Sequence, residues 1–117
     1  MILIDGSVHD DEPEAEEWIH RVEKLRDPSH HRLLGPMAWR KLCGGAGLKV
    51  LRSDLFPLKQ PDLEWYFRAA NTPEENREEV RALVQNAPES VRRVYGLTQE
   101  EGKTVWFWAR ITLVAVK

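Results

Sequence analysis

Two short polar segments contain most of the residues that could take part in chemistry. The first is His9-Asp10-Asp11-Glu12, and the second runs from Arg26 to Arg32 and includes His30 and His31. Histidine titrates near neutral pH, so either segment could supply a general base for an acceptor hydroxyl or polarise an enol. Such side chains can also bind a divalent ion, but their spacing matches no recognised ligand pattern. We therefore predict no metal site.

The remaining reactive residues form no recognisable catalytic pattern. The single cysteine, Cys43, falls on the apolar face of a predicted helix, as is typical of a buried, inert thiol. The run Gly44-Gly45-Ala46-Gly47 precedes a predicted strand instead of joining a strand to a helix. It therefore indicates the end of a helix and not a phosphate-binding loop. No combination of serine, histidine and aspartate has the form of a nucleophile turn.

The composition indicates one globular domain, residues 1–117. The net charge is −2 and basic residues do not cluster, which argues against nucleic-acid binding. A single cysteine fits a reducing compartment, and the N-terminal apolar run is too short for a signal peptide. No apolar run approaches the roughly 20 residues needed to cross a bilayer. We expect a cytoplasmic protein with no membrane partner.

The order of predicted elements is strand, helix, helix, strand, three helices, strand. Met1–Ile4 predicts a buried strand, and residues 48–55 predict an edge strand because charged residues interrupt its apolar pattern. Thr72 and Glu75 have the spacing of a capping box in the second of three helices that form a helical cap, residues 61–96. The first two helices are predicted at Pro13–Arg26 and Pro36–Gly45.

The C-terminal run, Thr104–Val116, predicts the strand around which the rest is arranged. It is rich in β-branched and aromatic residues and is apolar on both faces, which is typical of an interior strand covered on both sides. It fits best between the two earlier strands and antiparallel to both. The predicted fold class is therefore α/β, with a three-stranded mixed sheet and about five helices.

Four segments in this order resemble parts of the C-terminal half of a class I S-adenosylmethionine-dependent methyltransferase of the small-molecule branch. Met1–Val8 resembles the fifth strand and its following loop, and Leu25-Arg26-Asp27-Pro28-Ser29-His30 resembles the Arg-Asp-Pro-Ser-His segment of that branch. Trp39–Leu42 and Ala46–Val50 resemble the late helix and sixth strand. The resemblance implies an incomplete Rossmann-like fold whose last strand is inserted antiparallel between the fifth and sixth.

The resemblance also implies where a site would lie and what is missing. The loop after the fifth strand and the next helix line the methyl-acceptor side. This makes His30 and His9 the candidate catalytic residues, and Asp10, Arg26 and Asp27 the candidate substrate-binding residues. The Gly-rich turn that holds the cofactor has no counterpart in the chain. We therefore expect no cofactor to bind this chain alone, and S-adenosylmethionine to bind only if a partner half completes the fold.

A sheet that lacks its neighbouring strands should associate with another chain. The edge of the N-terminal strand would present unpaired backbone groups, which favours a homodimer through that edge or pairing with a separate N-terminal half. Trp18, Trp106 and Trp108 are the side chains expected to be incompletely covered. Two functions remain open: an acceptor-side methyltransferase half that is inactive alone, or a non-catalytic module that dimerises or binds a small ligand or protein.

Overall fold

The computed structural model describes residues 1–29 and 32–117, which form four strands and five helices. The predicted bounds of the first two helices are confirmed. The strand predicted at residues 48–55 is longer, and a short additional strand precedes the C-terminal one. In chain order the elements are β1 (Ile2–Gly6), α1 (Pro13–Arg26), α2 (Pro36–Gly45), β2 (Lys49–Gln60), α3 (Leu63–Ala70), α4 (Glu74–Gln85), α5 (Glu89–Tyr95), β3 (Thr98–Glu100) and β4 (Lys103–Val116).

The C-terminal strand lies in the middle of the sheet, as predicted. The strand order is β1-β4-β2, and β4 runs antiparallel to both neighbours. The short strand β3 also pairs with β4, through a turn that contains Glu101 and Gly102 at positive φ. The sheet therefore has four strands instead of the predicted three, and β2 is an edge strand, as predicted.

Helices cover opposite faces of β4 at its two ends. Near its start, Trp106 is buried against helices α1, α3 and α5, in the larger of two hydrophobic cores. Near its end, Ile111, Leu113 and Ala115 pack on the opposite face against Cys43 of α2. The expectation that β4 is covered on both faces is therefore correct only in part, because each helical layer covers one half of the strand.

The remaining sheet surface, which we call the open face, carries exposed apolar side chains. Paired residues of an antiparallel sheet share a face, so Ile2 and Ile4 lie beside Val114 and Thr112. Ile2 is 74% exposed and Ile4 is 59% exposed, which shows that the prediction of a buried first strand was wrong. Three tryptophans were expected to be incompletely covered. Trp106 is instead buried, and Trp18 and Trp108 are partly buried.

The outer edge of β1 has no strand neighbour among the described residues. Met1 and Ala115 exchange two backbone hydrogen bonds, and the Ser7 amide donates to the Ala109 carbonyl at 2.9 Å. Because hydrogen-bonded pairs alternate along an antiparallel ladder, the amides of Ile2 and Ile4 point away from β4. They face the open edge.

Helices α1, α3, α4 and α5 form a lobe at the carboxyl ends of β1 and β2, and the molecule is elongated. Its radius of gyration is 15.3 Å, against about 13 Å for a compact chain of this length. No helix in the described part of the chain is long and apolar enough to cross a membrane.

Candidate functional site

His9 lies beyond the carboxyl end of β1, beside a cleft of about 210 Å³. The imidazole ring meets the ring of Tyr95 edge-on, with 5.9 Å between the ring centroids. Phe56, Phe107 and Trp108 supply aromatic walls, and aliphatic side chains of β2, β4 and α5 supply the rest. His9 thus lies beyond the strand end where open α/β sheets bind ligands, and its catalytic role stays a prediction.

Asp10 caps a helix from a distance in sequence. Its Oδ2 accepts a hydrogen bond from the backbone amide of Met37 at 2.9 Å, in the first turn of α2. Pro36 and the N-cap residue Gly35 provide no side-chain cap of their own. The Asp10 carboxylate thus satisfies a free amide and complements the helix dipole. Asp10, a candidate substrate-binding residue, therefore stabilises the start of α2.

Gly35 and Asp10 should therefore act as one unit in stability measurements. A Cβ at position 35 would lie 2.2 Å from Asp10 Oδ1, so Gly35→Ala must displace the capping carboxylate. We expect Gly35→Ala and Asp10→Ala each to lower the free energy of unfolding by about 1 kcal/mol, and the double variant to lose little more than either. Urea denaturation of the three variants measures this.

Gly44→Ala, in the same helix as Gly35, is the matched control. A Cβ at position 44 would meet nothing within 4 Å beyond its chain neighbours and the nearby backbone of its own helix. The substitution should stabilise the protein by roughly 0.5–1 kcal/mol through helix propensity. Fully additive losses in the Asp10→Ala, Gly35→Ala double variant would contradict the capping arrangement.

Arg26 and Asp27 end helix α1 and connect it to the rest of the lobe. Arg26 Nε donates to the Tyr66 carbonyl at 2.9 Å, and the guanidinium lies over the Tyr66 ring, 3.8 Å from its centroid. Asp27 Oδ1 accepts hydrogen bonds from the Ser29 amide at 3.0 Å and the Ser29 hydroxyl at 2.6 Å. The Thr72 hydroxyl donates to the Arg26 carbonyl at 2.8 Å. Thr72 therefore does not form the predicted capping box, and Pro73 is the N-cap residue of α4.

Glu23 is a buried acid that the sequence analysis missed. Its side chain is 1% exposed and its Oε2 lies 3.8 Å from the Arg26 guanidinium, beyond hydrogen-bond distance. Burial raises the pKa of Glu23 from 4.5 to about 7, Arg26 opposes this increase, and Asp27 adds to it. Burial also lowers the pKa of Arg26, against the raising effects of Glu23 and Asp27. The position of Glu23, one turn after Ile19 on the apolar stripe, is the signal that could have revealed it.

Two further polar atoms, Tyr66 Oη and Trp108 Nε1, are buried beside this pair. Neither they nor Glu23 Oε1 have a hydrogen-bond partner within residues 1–29 and 32–117. Tyr66 meets Trp106 and Trp108 edge-on, with centroid distances of 4.8 and 6.4 Å. Glu23, Arg26, Tyr66 and the two tryptophans thus form a polar and aromatic cluster between α1, α3 and β4. We call it the Glu23 cluster.

The structure places the candidate residues at opposite ends of α1. Tyr95, whose ring contacts His9, donates from its hydroxyl to the Ala15 carbonyl at 3.4 Å in the first turn, whereas Arg26 is the last helical residue. At about 1.5 Å per residue these points are roughly 16 Å apart. His9 with Asp10 and Arg26 with Asp27 are therefore two separate groups. His30, the other candidate catalytic residue, lies outside the described residues.

The described residues do not fit the cofactor that the resemblance implies. In open α/β folds, a Gly-rich turn between a strand and a helix holds the nucleoside-containing cofactor. The glycines at positive φ lie elsewhere: Gly47 between α2 and β2, Gly96 between α5 and β3, and Gly102 in the β3–β4 turn. The strand-to-helix loop after β1 instead contains the Asp10 carboxylate, already bonded to α2. None of the positive-φ glycines in the described residues therefore lies in a strand-to-helix turn.

Comparison with solved structures identifies the fold. The chain superposes with a TM-score of 0.85 on a presumed methyltransferase from Bacillus halodurans, at 23% identity, covering 97% of this chain and 53% of that one. It superposes with a TM-score of 0.81 on the YcgJ protein from Bacillus subtilis, at 18% identity, covering 99% of this chain and 50% of the other. The chain thus has a methyltransferase-like fold and spans about half the length of these proteins. No protein-family model and no curated protein sequence matches it.

Proposed function

We propose that this chain forms the methyl-acceptor side of an S-adenosylmethionine-dependent small-molecule methyltransferase. The observation that carries the proposal is the superposition of nearly the whole chain on half of a presumed methyltransferase, with β4 antiparallel between β1 and β2. The Gly-rich, cofactor-binding part then comes from additional polypeptide, which pairs with the open edge of β1. His9 lines the acceptor cleft and can accept a proton from an acceptor hydroxyl or donate a hydrogen bond to it.

Calorimetric titration with S-adenosylmethionine tests this function. We expect no binding to the 117-residue chain alone, because its described residues offer no cofactor turn. Binding should appear when the chain is combined with a polypeptide that carries a strand and a Gly-rich turn, such as one encoded next to it. Saturable binding to the chain alone would contradict the proposal, and so would the absence of binding in every combination.

The exposed first strand favours a second candidate, a non-catalytic module that dimerises through the β1 edge. Ile2 and Ile4 present both apolar side chains and outward-facing amides, the combination that promotes pairing between edges. Such a dimer would then bind a small ligand or another protein. This candidate predicts self-association without any cofactor-binding partner.

Sedimentation of the Ile4→Lys variant distinguishes the candidates. If the chain dimerises through β1, a charge at this position should weaken dimerisation at least about tenfold, because two copies would bring like charges together at the edge. Met37→Lys is the matched control, since Met37 is 71% exposed on α2. A wild-type chain that remains monomeric at high concentration would exclude the dimerising module.

A further inference from the structure

The volume of the cleft beside His9 limits the size of the group that it can cover. The cleft measures about 210 Å³. An engineered apolar cavity of about 150 Å³ in another protein binds benzene, so this cleft has room for one six-membered ring and a small substituent. The cleft is partly open to solvent, so the remainder of a larger ligand would extend out of it.

The lining of the cleft limits the charge of its ligand. His9 is the only ionisable side chain among the described residues that line it, and aromatic and aliphatic groups make up the remainder. An ammonium group would lose water there and gain no oppositely charged partner, and a carboxylate or phosphate would gain one only if His9 were protonated. The lining therefore selects a neutral ligand.

The setting of His9 limits the position of the polar group on that ligand. Tyr95 is held by the bond from its hydroxyl to Ala15 and by stacking on Trp18, with ring centroids 6.2 Å apart. It therefore presents a fixed surface to the His9 ring. A neutral imidazole offers one donor and one acceptor nitrogen, which matches a single hydroxyl group. Phe56, Phe107 and Trp108 offer π surfaces to the ring that bears it.

We propose that the cleft beside His9 binds a neutral, single-ring aromatic compound whose hydroxyl group hydrogen-bonds to the His9 imidazole. This inference rests on the proposed function, in which the bound hydroxyl is the methyl acceptor. It narrows the reacting part of the acceptor to a phenol-like ring and disfavours an amine, carboxylate or phosphate at that position.

Ligand-detected and protein-detected NMR of the full chain with phenol, toluene and benzoate tests the inference without any cofactor. Phenol and toluene have the same shape and differ in the hydroxyl group, whereas benzoate adds a charge. We expect phenol to bind about fivefold more tightly than toluene, as one net hydrogen bond allows, and benzoate to bind more weakly than either. The signals of His9 and Phe107 should shift on phenol binding.

Two variants separate the hydrogen bond from the cleft itself. His9→Leu should abolish the preference for phenol while toluene binding persists, which also shows that the cleft remains folded. Val94→Trp should fill the cleft and prevent both probes from binding, with the circular dichroism spectrum unchanged. Equal affinities for phenol and toluene, a preference for benzoate, or an unchanged phenol preference in His9→Leu would overturn the inference.

The outcome can be separated from that of the proposed function. Phenol binding that depends on His9, in a chain that binds S-adenosylmethionine in no combination, would preserve the cleft assignment and remove the methyltransferase role. Cofactor binding in the combined protein together with no preference for phenol would preserve the methyltransferase role and remove the cleft assignment.

Discussion

Replacement of Glu23 with glutamine is expected to raise the free energy of unfolding by about 2–3 kcal/mol at about pH 8 and to leave it nearly unchanged at about pH 4. The ordinary pKa of a glutamate is 4.5. Burial disfavours the carboxylate and raises the pKa of Glu23 to about 7 in the folded protein. The folded state therefore holds the proton more tightly. The stability that this provides is complete below about pH 4.5 and is lost as the pH rises through about 7.

Urea denaturation of both proteins at several pH values between about 4 and 8 measures the effect. The difference between wild type and Glu23→Gln is the informative quantity, since other carboxylates titrate equally in both. Glu17→Gln on the exposed side of the same helix is the control, and we expect a change within about 0.5 kcal/mol at every pH. A difference that does not vary with pH would show that Glu23 is not the buried titrating acid.

Arg26→Met is expected to lower the free energy of unfolding by about 3 kcal/mol at about pH 8, and by less at about pH 5. The change removes the hydrogen bond to the Tyr66 carbonyl and the guanidinium that partly offsets the buried charge of Glu23. At the higher pH an uncompensated carboxylate then remains in the core, whereas at the lower pH it is protonated. Methionine has a similar length but no charge, so the contact of the guanidinium with the Tyr66 ring is lost as well.

A double-mutant cycle with Glu23→Gln assigns this loss to the pair. Arg26→Met should cost markedly less in the Glu23→Gln background, because no charge is left unpaired. Arg26→Lys is the conservative control and should lose only about 1 kcal/mol, since it retains the charge but not the planar contacts. Equal costs in both backgrounds would mean that Arg26 stabilises the lobe through Tyr66 alone.

Periodicity predicted the helices and the central strand well, because both follow from side-chain spacing. The apolar stripe of α1 fits few structures other than a helix that packs on one face, and the two apolar faces of β4 fit few other than an interior strand. The full length of β2 was missed because Pro57 interrupts it, yet an edge strand tolerates proline where the amide faces outward. The short strand β3 was missed because its residues, Thr98–Glu100, are polar and exposed, and only the turn before Lys103 brings them beside β4.

The site was less predictable because its contacts join residues that are distant in sequence. Asp10 lies three residues before the start of α1, but its carboxylate caps α2 instead. Thr72 resembled a local cap, although its hydroxyl reaches the Arg26 carbonyl at the end of α1. Exposure of Ile2 and Ile4 could not be predicted from their types, because burial depends on which helices reach that part of the sheet.

Hydrogen exchange at the first strand tests most directly the claim that this chain is one side of a larger methyltransferase sheet. In the dilute chain alone, the amides of Ile2 and Ile4 should exchange rapidly, while Leu3 and Asp5, which face β4, should be protected. In complex with a cofactor-binding polypeptide, Ile2 and Ile4 should become at least about tenfold slower. A complex that binds S-adenosylmethionine while these two amides still exchange as in the free chain would contradict the claim.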